Sequence, residues 1–146
     1  MRKLLKFSDV ITPNFTEALY LIGKKDYDIE NFNEKDIKDI IFSLREMGAK
    51  NIIITSVPCK EDKIGIAVYD GKYINILYHE KLSKSYPGTG DIFTGVLSTE
   101  LLKGSNLLDA TNKSADFVKE CIKYSMQYDY NAKEGVLLEK QLCKLL

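Results

Sequence analysis

Cysteine and histidine are scarce in this sequence. The three cysteines, Cys59, Cys121 and Cys143, stand far apart without a Cys-x-x-Cys pair, and His79 is the only histidine. Zinc sites and disulfide frameworks both need such residues in clusters or pairs. The sequence therefore predicts neither feature, and Cys121, on the apolar face of a predicted helix, is interpreted as a core residue.

The sequence also lacks an excess of charge of one sign and any long apolar run. Lys+Arg and Asp+Glu both number 21, so no net field favours nucleic acid or an acidic membrane. No apolar stretch approaches the roughly 20 residues of a membrane span, and the apolar part of residues 1–6 is too short for a signal peptide. The composition predicts a cytoplasmic globular protein whose partners are small molecules, with no nucleic acid and no membrane.

Strand and helix signals alternate along the chain, which predicts an α/β fold. Helices are predicted to begin at Asn14, at Asn33 and after Ser105, where polar residues suit an N-cap. The continuous apolar run 51–55 is typical of a strand buried on both faces of a parallel sheet. Asp70-Gly71, between two alternating segments, predicts an antiparallel hairpin at the sheet edge. The chain contains no repeats and no linker, so residues 1–146 are predicted to form a single domain.

A glycine-rich turn is predicted at Gly88-Thr89-Gly90, and it opens the helix predicted over 91–103. Gly88 and Gly90 let the backbone take positive φ, so that successive N–H groups converge on one point and form an anion-binding nest. Asp91, in the first helical turn, could accept a proton from a hydroxyl group while the nest holds a phosphoryl group. The pattern indicates a phosphotransfer site. The alternative is an ordinary helix start, which also combines glycine and aspartate.

Three motifs follow one another in the chain: Pro13-Asn14-Phe15-Thr16-Glu17, Ile54-Thr55-Ser56 and Gly88-Thr89-Gly90-Asp91. Together they resemble the ribokinase-like superfamily of ATP-dependent small-molecule kinases, and within it the pyridoxal and pyridoxamine kinases of vitamin B6 salvage. The resemblance spans essentially the whole chain but only half of a family member, since these kinases are about twice as long. It implies the C-terminal, ATP-binding half of a ribokinase-like three-layer sandwich, with a mostly parallel sheet and an antiparallel edge hairpin.

The resemblance implies that the glycine-rich turn carries the chemistry. Asp91 is expected to be the general base toward the primary hydroxyl of pyridoxal, pyridoxamine or pyridoxine as this attacks the γ-phosphate of ATP. The backbone N–H groups of Gly88, Thr89 and Gly90 are expected to hold the transferring phosphoryl group. Tyr86 ends a segment that is expected to run beside the adenine of ATP.

The other two motifs are implied to serve the nucleotide and its metal. Asn14 and Glu17 are expected to organise Mg²⁺, directly or through water, and the hydroxyls of Thr55 and Ser56 to reach a nucleotide phosphate. K⁺ is common in this family and is expected at loop carbonyls. Both motifs also have a purely structural interpretation. Asn14 and Glu17 suit a helix capping box, and hydroxyls at the end of a strand often form local turns.

The missing half leaves the assembly and the exact activity open. A sheet cut across its middle exposes a strand edge, which a partner carrying the N-terminal half, self-association into a homo-oligomer, or strand exchange between two copies would cover. Met1-Arg2-Lys3-Leu4 reads like the interior of a longer kinase, so a fragment that is inactive alone is one expectation. Two further interpretations stay open: a non-catalytic nucleotide-binding or interaction module, and a hydroxymethylpyrimidine or sugar kinase of the same superfamily.

Overall fold

The computed structural model describes residues 2–24, 33–60 and 62–145. The sequence predicts a polar loop at 24–32 and a solvated turn at 60–63; residues 25–32 and Glu61 lie outside the described ranges. The chain divides into two compact units, unit 1 (Met1–Lys81) and unit 2 (Leu82–Leu146). None of the helices in the described ranges is long and apolar enough to cross a membrane.

Within the described ranges, unit 1 contains a four-stranded mixed sheet, two α-helices and a 3₁₀ helix at Arg2–Phe7. The strand order is β1-β2-β3-β4, in which β1 and β2 are parallel while the β2–β3 and β3–β4 pairs are antiparallel. The predicted α/β class is confirmed. The resemblance implies a mostly parallel sheet with an antiparallel edge hairpin; within the described residues only the β1–β2 pair is parallel, because β3 pairs antiparallel with both of its neighbours. The elements are β1 (Val10–Ile11), α1 (Phe15–Ile22), α2 (Glu34–Glu46), β2 (Asn51–Pro58), β3 (Lys63–Tyr69) and β4 (Ile74–Glu80).

The core of unit 1 lies between the sheet and its two helices. Ile40 and Leu44 of α2 are buried in the same core cluster as Ile52 and Ile54 of β2. Each fully buried aliphatic side chain contributes about 1.5–3 kcal/mol relative to an exposed one. Ile53, whose side chain points to the opposite face of the sheet because strand residues alternate, is also fully buried. The run 51–55 is therefore buried on both faces, as its unbroken apolar character predicts.

The hairpin β3–β4 turns through four residues, because Tyr69 pairs with Ile74. The Asp70 carboxylate accepts hydrogen bonds from the backbone N–H groups of Lys72 at 2.9 Å and Tyr73 at 2.6 Å. The hydrogen bond from Tyr73, and to a smaller extent the one from Lys72, lowers the pKa of Asp70. The predicted hairpin is present, but its second strand begins at Ile74, since Tyr73 is used to close this turn.

Unit 2 is an α-helical hairpin followed by an irregular C-terminal tail. Its helices are α3 (Thr89–Leu102) and α4 (Leu107–Ser125), and short 3₁₀ turns occupy Ala132–Glu134 and Leu142–Leu145. Val96 of α3 packs with Phe117 and Cys121 of α4, so Cys121 is the core residue that its position predicts. The cap of α4 is Asn106 and not Ser105, because the Ser105 hydroxyl is bonded to the Glu100 carboxylate at 3.2 Å.

Candidate active site

The start of α3 is built differently from a capped helix. Its N-cap residue Gly88 has φ 80° and ψ −5°, and no side chain caps the helix. The carbonyl of Gly88 accepts hydrogen bonds from the N–H groups of Asp91 at 3.1 Å and Ile92 at 3.2 Å. Among the described residues, the N–H groups of Thr89 and Gly90 have no acceptor. Two donors at the positive end of the helix dipole are thus left for an external anion.

Gly90 takes part in this site in a different way from the sequence prediction. Its φ is not positive, unlike that of Gly88, because Gly90 lies inside α3 as its second residue. The predicted three-residue turn Gly88-Thr89-Gly90 is therefore wrong for its last two residues, and only Gly88 needs the left-handed conformation. A Cβ built at Gly90 would meet no atom within 4 Å, so its small size leaves open space beside the free N–H groups.

Asp91 occupies the first turn of α3 and is exposed. As the third residue of the helix it follows directly after the two free donors. A carboxylate in this position can accept a proton from a hydroxyl group whose attack is directed at an anion held by Thr89 and Gly90. The geometry keeps the roles predicted for Gly88, Thr89, Gly90 and Asp91 available.

Tyr86 is placed in the interior of unit 2. Its side chain is 4% exposed, and its ring stacks on that of Tyr130 with centroids 6.1 Å apart and planes inclined by 19°. Burial, together with the neighbouring Tyr130 hydroxyl, raises the pKa of Tyr86. The ring therefore packs inside the unit and offers little surface to adenine. The predicted contact of Tyr86 with the nucleotide is still a prediction, and it would have to be made by the backbone.

Asn14 and Glu17 form a complete capping box at the start of α1. The Glu17 N–H donates to Asn14 Oδ1 at 2.9 Å, and the Asn14 N–H donates to Glu17 Oε2 at 2.9 Å. These bonds satisfy two donors of the helix start. The capping box that the sequence offers as an alternative is thus present. A role in organising a metal ion would have to use the other carboxylate oxygen of Glu17 or the second lone pair of Asn14 Oδ1.

Thr55 and Ser56 lie at a bulge in β2. The register with β3 shifts between Ile54 and Val57, and Ser56 has φ 58°, the one non-glycine residue with positive φ in the described ranges. Thr55 instead extends the parallel pairing, since its N–H donates to the Pro13 carbonyl at 3.0 Å. Bulges and left-handed non-glycine residues are enriched beside functional sites, so this strand end is a strained position that the sequence alone does not show.

The candidates of unit 1 are brought together by the sheet. A β-bridge pairs Asn14 with Thr55, which places the α1 capping box next to the bulge that carries Ser56. In unit 2 the candidates are consecutive in the chain and share the start of α3. The residues of the three motifs thus form two local clusters, one in each unit.

No cluster of three or more His, Cys, Asp or Glu side chains that could hold a metal ion occurs in the part of the chain that the structure describes. Mg²⁺ keeps several waters and is held mainly by substrate phosphates in kinase sites. Asn14 and Glu17, with their remaining oxygen atoms, fit contacts to such waters and do not form a metal cage by themselves. The donor set is therefore compatible with Mg²⁺ that arrives with ATP.

A comparison with protein families decides the assignment. The model of the family described as phosphomethylpyrimidine kinase matches residues 1–136. The chain belongs to the phosphomethylpyrimidine kinase family. It is similar to the hydroxymethylpyrimidine/phosphomethylpyrimidine kinase of Aquifex aeolicus, with 29% identity over 84% of this chain and 47% of the relative. It is also similar to the pyridoxine kinase of Bacillus subtilis, with 29% identity over 84% of this chain and 45% of the relative.

Solved structures of kinases of this kind confirm the fold. A Bacteroides thetaiotaomicron protein assigned as a phosphomethylpyrimidine kinase and crystallised with pyridoxal has TM-score 0.89 and 34% identity, over 99% of this chain and 51% of that one. The Staphylococcus aureus pyridoxal kinase, solved with AMP-PCP and pyridoxal, has TM-score 0.74 and 27% identity, over 88% of this chain and 46% of that one.

These matches bear out the resemblance that the sequence motifs predict. The chain has the ribokinase-like fold of the pyridoxal and phosphomethylpyrimidine kinases and corresponds to their C-terminal half. It spans about half the length of the curated relatives it matches.

Proposed function

We propose that this chain is the nucleotide half of an ATP-dependent kinase that phosphorylates the hydroxymethyl group of a nitrogen-containing aromatic ring. The observation that carries the proposal is the uncapped start of α3, where Thr89 and Gly90 present two free N–H groups directly before Asp91. A nest for the transferring phosphoryl group and a carboxylate for the attacking hydroxyl are the two parts that phosphoryl transfer requires of a protein.

In the proposed reaction Asp91 accepts the proton of the acceptor hydroxyl as its oxygen attacks the γ-phosphorus of ATP. The bond between the γ-phosphorus and the bridging oxygen breaks, and ADP leaves with the electron pair. Thr89 and Gly90 donate hydrogen bonds to the oxygens of the transferring group, where negative charge must be stabilised. Mg²⁺, when bound with ATP, supplies charge neutralisation on the phosphates, and Asn14 and Glu17 are assigned to its waters.

Pyridoxal, or another B6 vitamer, is the acceptor we favour. The B. thetaiotaomicron relative with TM-score 0.89 was crystallised with pyridoxal, and the S. aureus kinase with pyridoxal and AMP-PCP. Hydroxymethylpyrimidine is the second candidate, because the A. aeolicus relative is named for that substrate. Both molecules carry a primary hydroxyl on a methylene group attached to the aromatic ring, so the same base and nest serve either of them.

The first test is a phosphorylation assay on the purified chain with Mg-ATP and K⁺, with pyridoxal and hydroxymethylpyrimidine in parallel and the mass of the protein in solution measured on the same sample. ATP binding is measured alongside by calorimetry. We expect the chain to bind ATP, and to turn over an acceptor only when a second polypeptide surface completes the site.

A chimera separates the two contributions. In it, this chain replaces the matched half of the B. thetaiotaomicron protein, and the intact relative serves as the positive control for the assay. We expect the chimera to phosphorylate the acceptor, and we expect Asp91→Asn to abolish this turnover. Failure of the isolated chain to bind ATP would overturn the proposal, whereas ATP binding by a chimera that folds but transfers no phosphoryl group would favour a non-catalytic nucleotide-binding module.

A further inference from the structure

The turn that precedes α3 is supported from inside by the C-terminal tail. The rings of Tyr86 and Tyr130 stack, with centroids 6.1 Å apart. The Tyr130 hydroxyl donates to the Gly135 carbonyl at 2.7 Å. Tyr130 therefore joins Tyr86 to the backbone of the tail, some 45 residues further along the chain.

The contacts of Tyr86 lead directly to the free donors of α3. Its backbone carbonyl accepts a hydrogen bond from the Thr89 hydroxyl at 3.2 Å, so the position of Tyr86 fixes the first residue of the helix. Two residues lie between Tyr86 and Thr89. The ring of Pro87 restricts its φ, and Gly88 adopts the left-handed conformation. A Cβ built on Gly135 would lie 3.5 Å from the Pro87 carbonyl oxygen, which places the tail backbone against the same turn.

The tail is itself held by the end of α4. Ser125 is fully buried; its hydroxyl donates to the Cys121 carbonyl at 2.7 Å and accepts from the Leu137 N–H at 2.8 Å. Asn131 caps the short 3₁₀ turn that separates Tyr130 from Gly135. The tail therefore has a defined path, and a residue within it can act as a rigid support.

We infer that Tyr130 is a positioning residue for the phosphate nest. Through Tyr86 and Gly135 it holds the turn 86–88 in the conformation that points the N–H groups of Thr89 and Gly90 outward together. Its proposed role requires no contact between Tyr130 and the nucleotide. The inference rests on the proposed function in one respect, namely that the ligand of the nest is a phosphate group of ATP.

The test is Tyr130→Phe, which keeps the stacked ring and removes the hydrogen bond to the Gly135 carbonyl. The matched control is Tyr128→Phe, two residues away, whose hydroxyl donates to that of Tyr124 at 2.9 Å on the surface of unit 2 and has no part in the turn. Two quantities are measured for each variant: the amide NMR signals and hydrogen-exchange rates of residues 88–90 without ligand, and the affinities for ATP and for adenosine.

Tyr130→Phe is expected to shift the signals of Thr89 and Gly90 and to weaken ATP binding roughly three- to tenfold, the size of one lost hydrogen bond, while adenosine binding is unchanged. Tyr128→Phe is expected to change neither quantity. Unchanged signals and exchange rates at residues 88–90 in Tyr130→Phe would overturn the inference. If those signals move but the parent chain binds no ATP, the support by Tyr130 stands and the proposed function fails.

Discussion

The helices α1 and α3 both begin at a candidate site, but their first N–H groups have different fates. At α1 the donors are used by the side chains of Asn14 and Glu17, which form a closed capping box. At α3 the N-cap is Gly88, and no side chain of the described residues caps the helix. Helices α2 and α4 resemble α1, since the side chains of Asn33 and Asn106 cap them.

This difference separates a helix start that stabilises the fold from one that is available to a ligand. A side-chain cap contributes about 1 kcal/mol to stability, and α3 forgoes that contribution. A phosphate that accepts hydrogen bonds from Thr89 and Gly90 would supply about 1.5–3 kcal/mol for each charged hydrogen bond. The bare start of α3 is therefore expected to gain from a ligand what α1 already obtains from its own side chains.

The largest effect is expected at Asp91. Asp91→Asn should reduce turnover of the chimera about 10²–10⁴-fold, because it removes the proton acceptor, and leave ATP affinity within about twofold. Asp109 is the matched control, since it is also the third residue of a helix, α4, and also acidic. Asp109→Asn removes the same favourable charge from a helix start without touching the site. Equal turnover of the two variants would contradict the assignment of Asp91 as the base.

The next effect concerns the open space at Gly90. Gly90→Ala should weaken ATP binding roughly tenfold, because a methyl group then occupies the space beside the donors and costs about one charged hydrogen bond. The same change should raise the thermal midpoint, since alanine is favoured over glycine in a helix by about 1 kcal/mol. Gly95→Ala, also in α3 and also without atoms within 4 Å of the built Cβ, should raise the midpoint alone. Unchanged ATP affinity in Gly90→Ala would count against the nest.

A smaller effect distinguishes the two interpretations of the α1 capping box. Asn14→Ala should lower the free energy of unfolding by about 1 kcal/mol, as should Asn33→Ala in α2. Asn14→Ser keeps a capping oxygen and should recover most of that stability. If Asn14 also contacts waters of Mg²⁺, Asn14→Ser in the chimera will still raise the Mg²⁺ concentration needed for half-maximal turnover. A parent-like Mg²⁺ dependence would show that Asn14 is a cap and nothing more.

The smallest effect is expected at the bulge in β2. Ser56→Gly should stabilise the chain by about 1 kcal/mol, because glycine adopts φ 58° without the cost that a Cβ brings. Ser56→Ala keeps that cost and removes the hydroxyl group. If the hydroxyl contacts a phosphate, both variants should weaken ATP binding equally, although their stabilities differ; denaturant unfolding and calorimetry on the same samples measure the two quantities. ATP affinity that follows stability instead would contradict the predicted contact.

Local sequence signals predict the helix starts and strands of this chain well. Asn14 and Asn33 cap their helices because an Asn followed three residues later by an acidic side chain can close a capping box without help from distant residues. The apolar run 51–55 indicates a buried strand for a similar reason, because a strand that is buried on both faces has apolar residues at successive positions. These predictions depend on residues within one or two turns of each other.

The sequence prediction fails where a residue has a competing partner or where distant segments meet. Gly90 adopts helical φ because the helix begins one residue after Gly88, and a glycine permits either conformation. Ser105 does not cap α4 because Glu100 takes its hydroxyl group. The burial of Tyr86 depends on Tyr130, which lies in the tail; no spacing in the sequence links the two. The motif Gly88-Thr89-Gly90-Asp91 predicts a phosphate nest at this turn, whereas the contacts between the turn and the tail are visible only in the fold.

Phosphate binding at the start of α3 can be tested by an NMR titration of the ¹⁵N-labelled chain. ATP, pyrophosphate and adenosine are added separately, and the amide signals at the starts of α1, α2, α3 and α4 are followed. We expect ATP and pyrophosphate to shift the signals of Thr89 and Gly90 and to slow their exchange, while adenosine does neither and the starts of α2 and α4 stay unchanged. Saturation with ATP that leaves the signals of Thr89 and Gly90 in place would contradict this expectation.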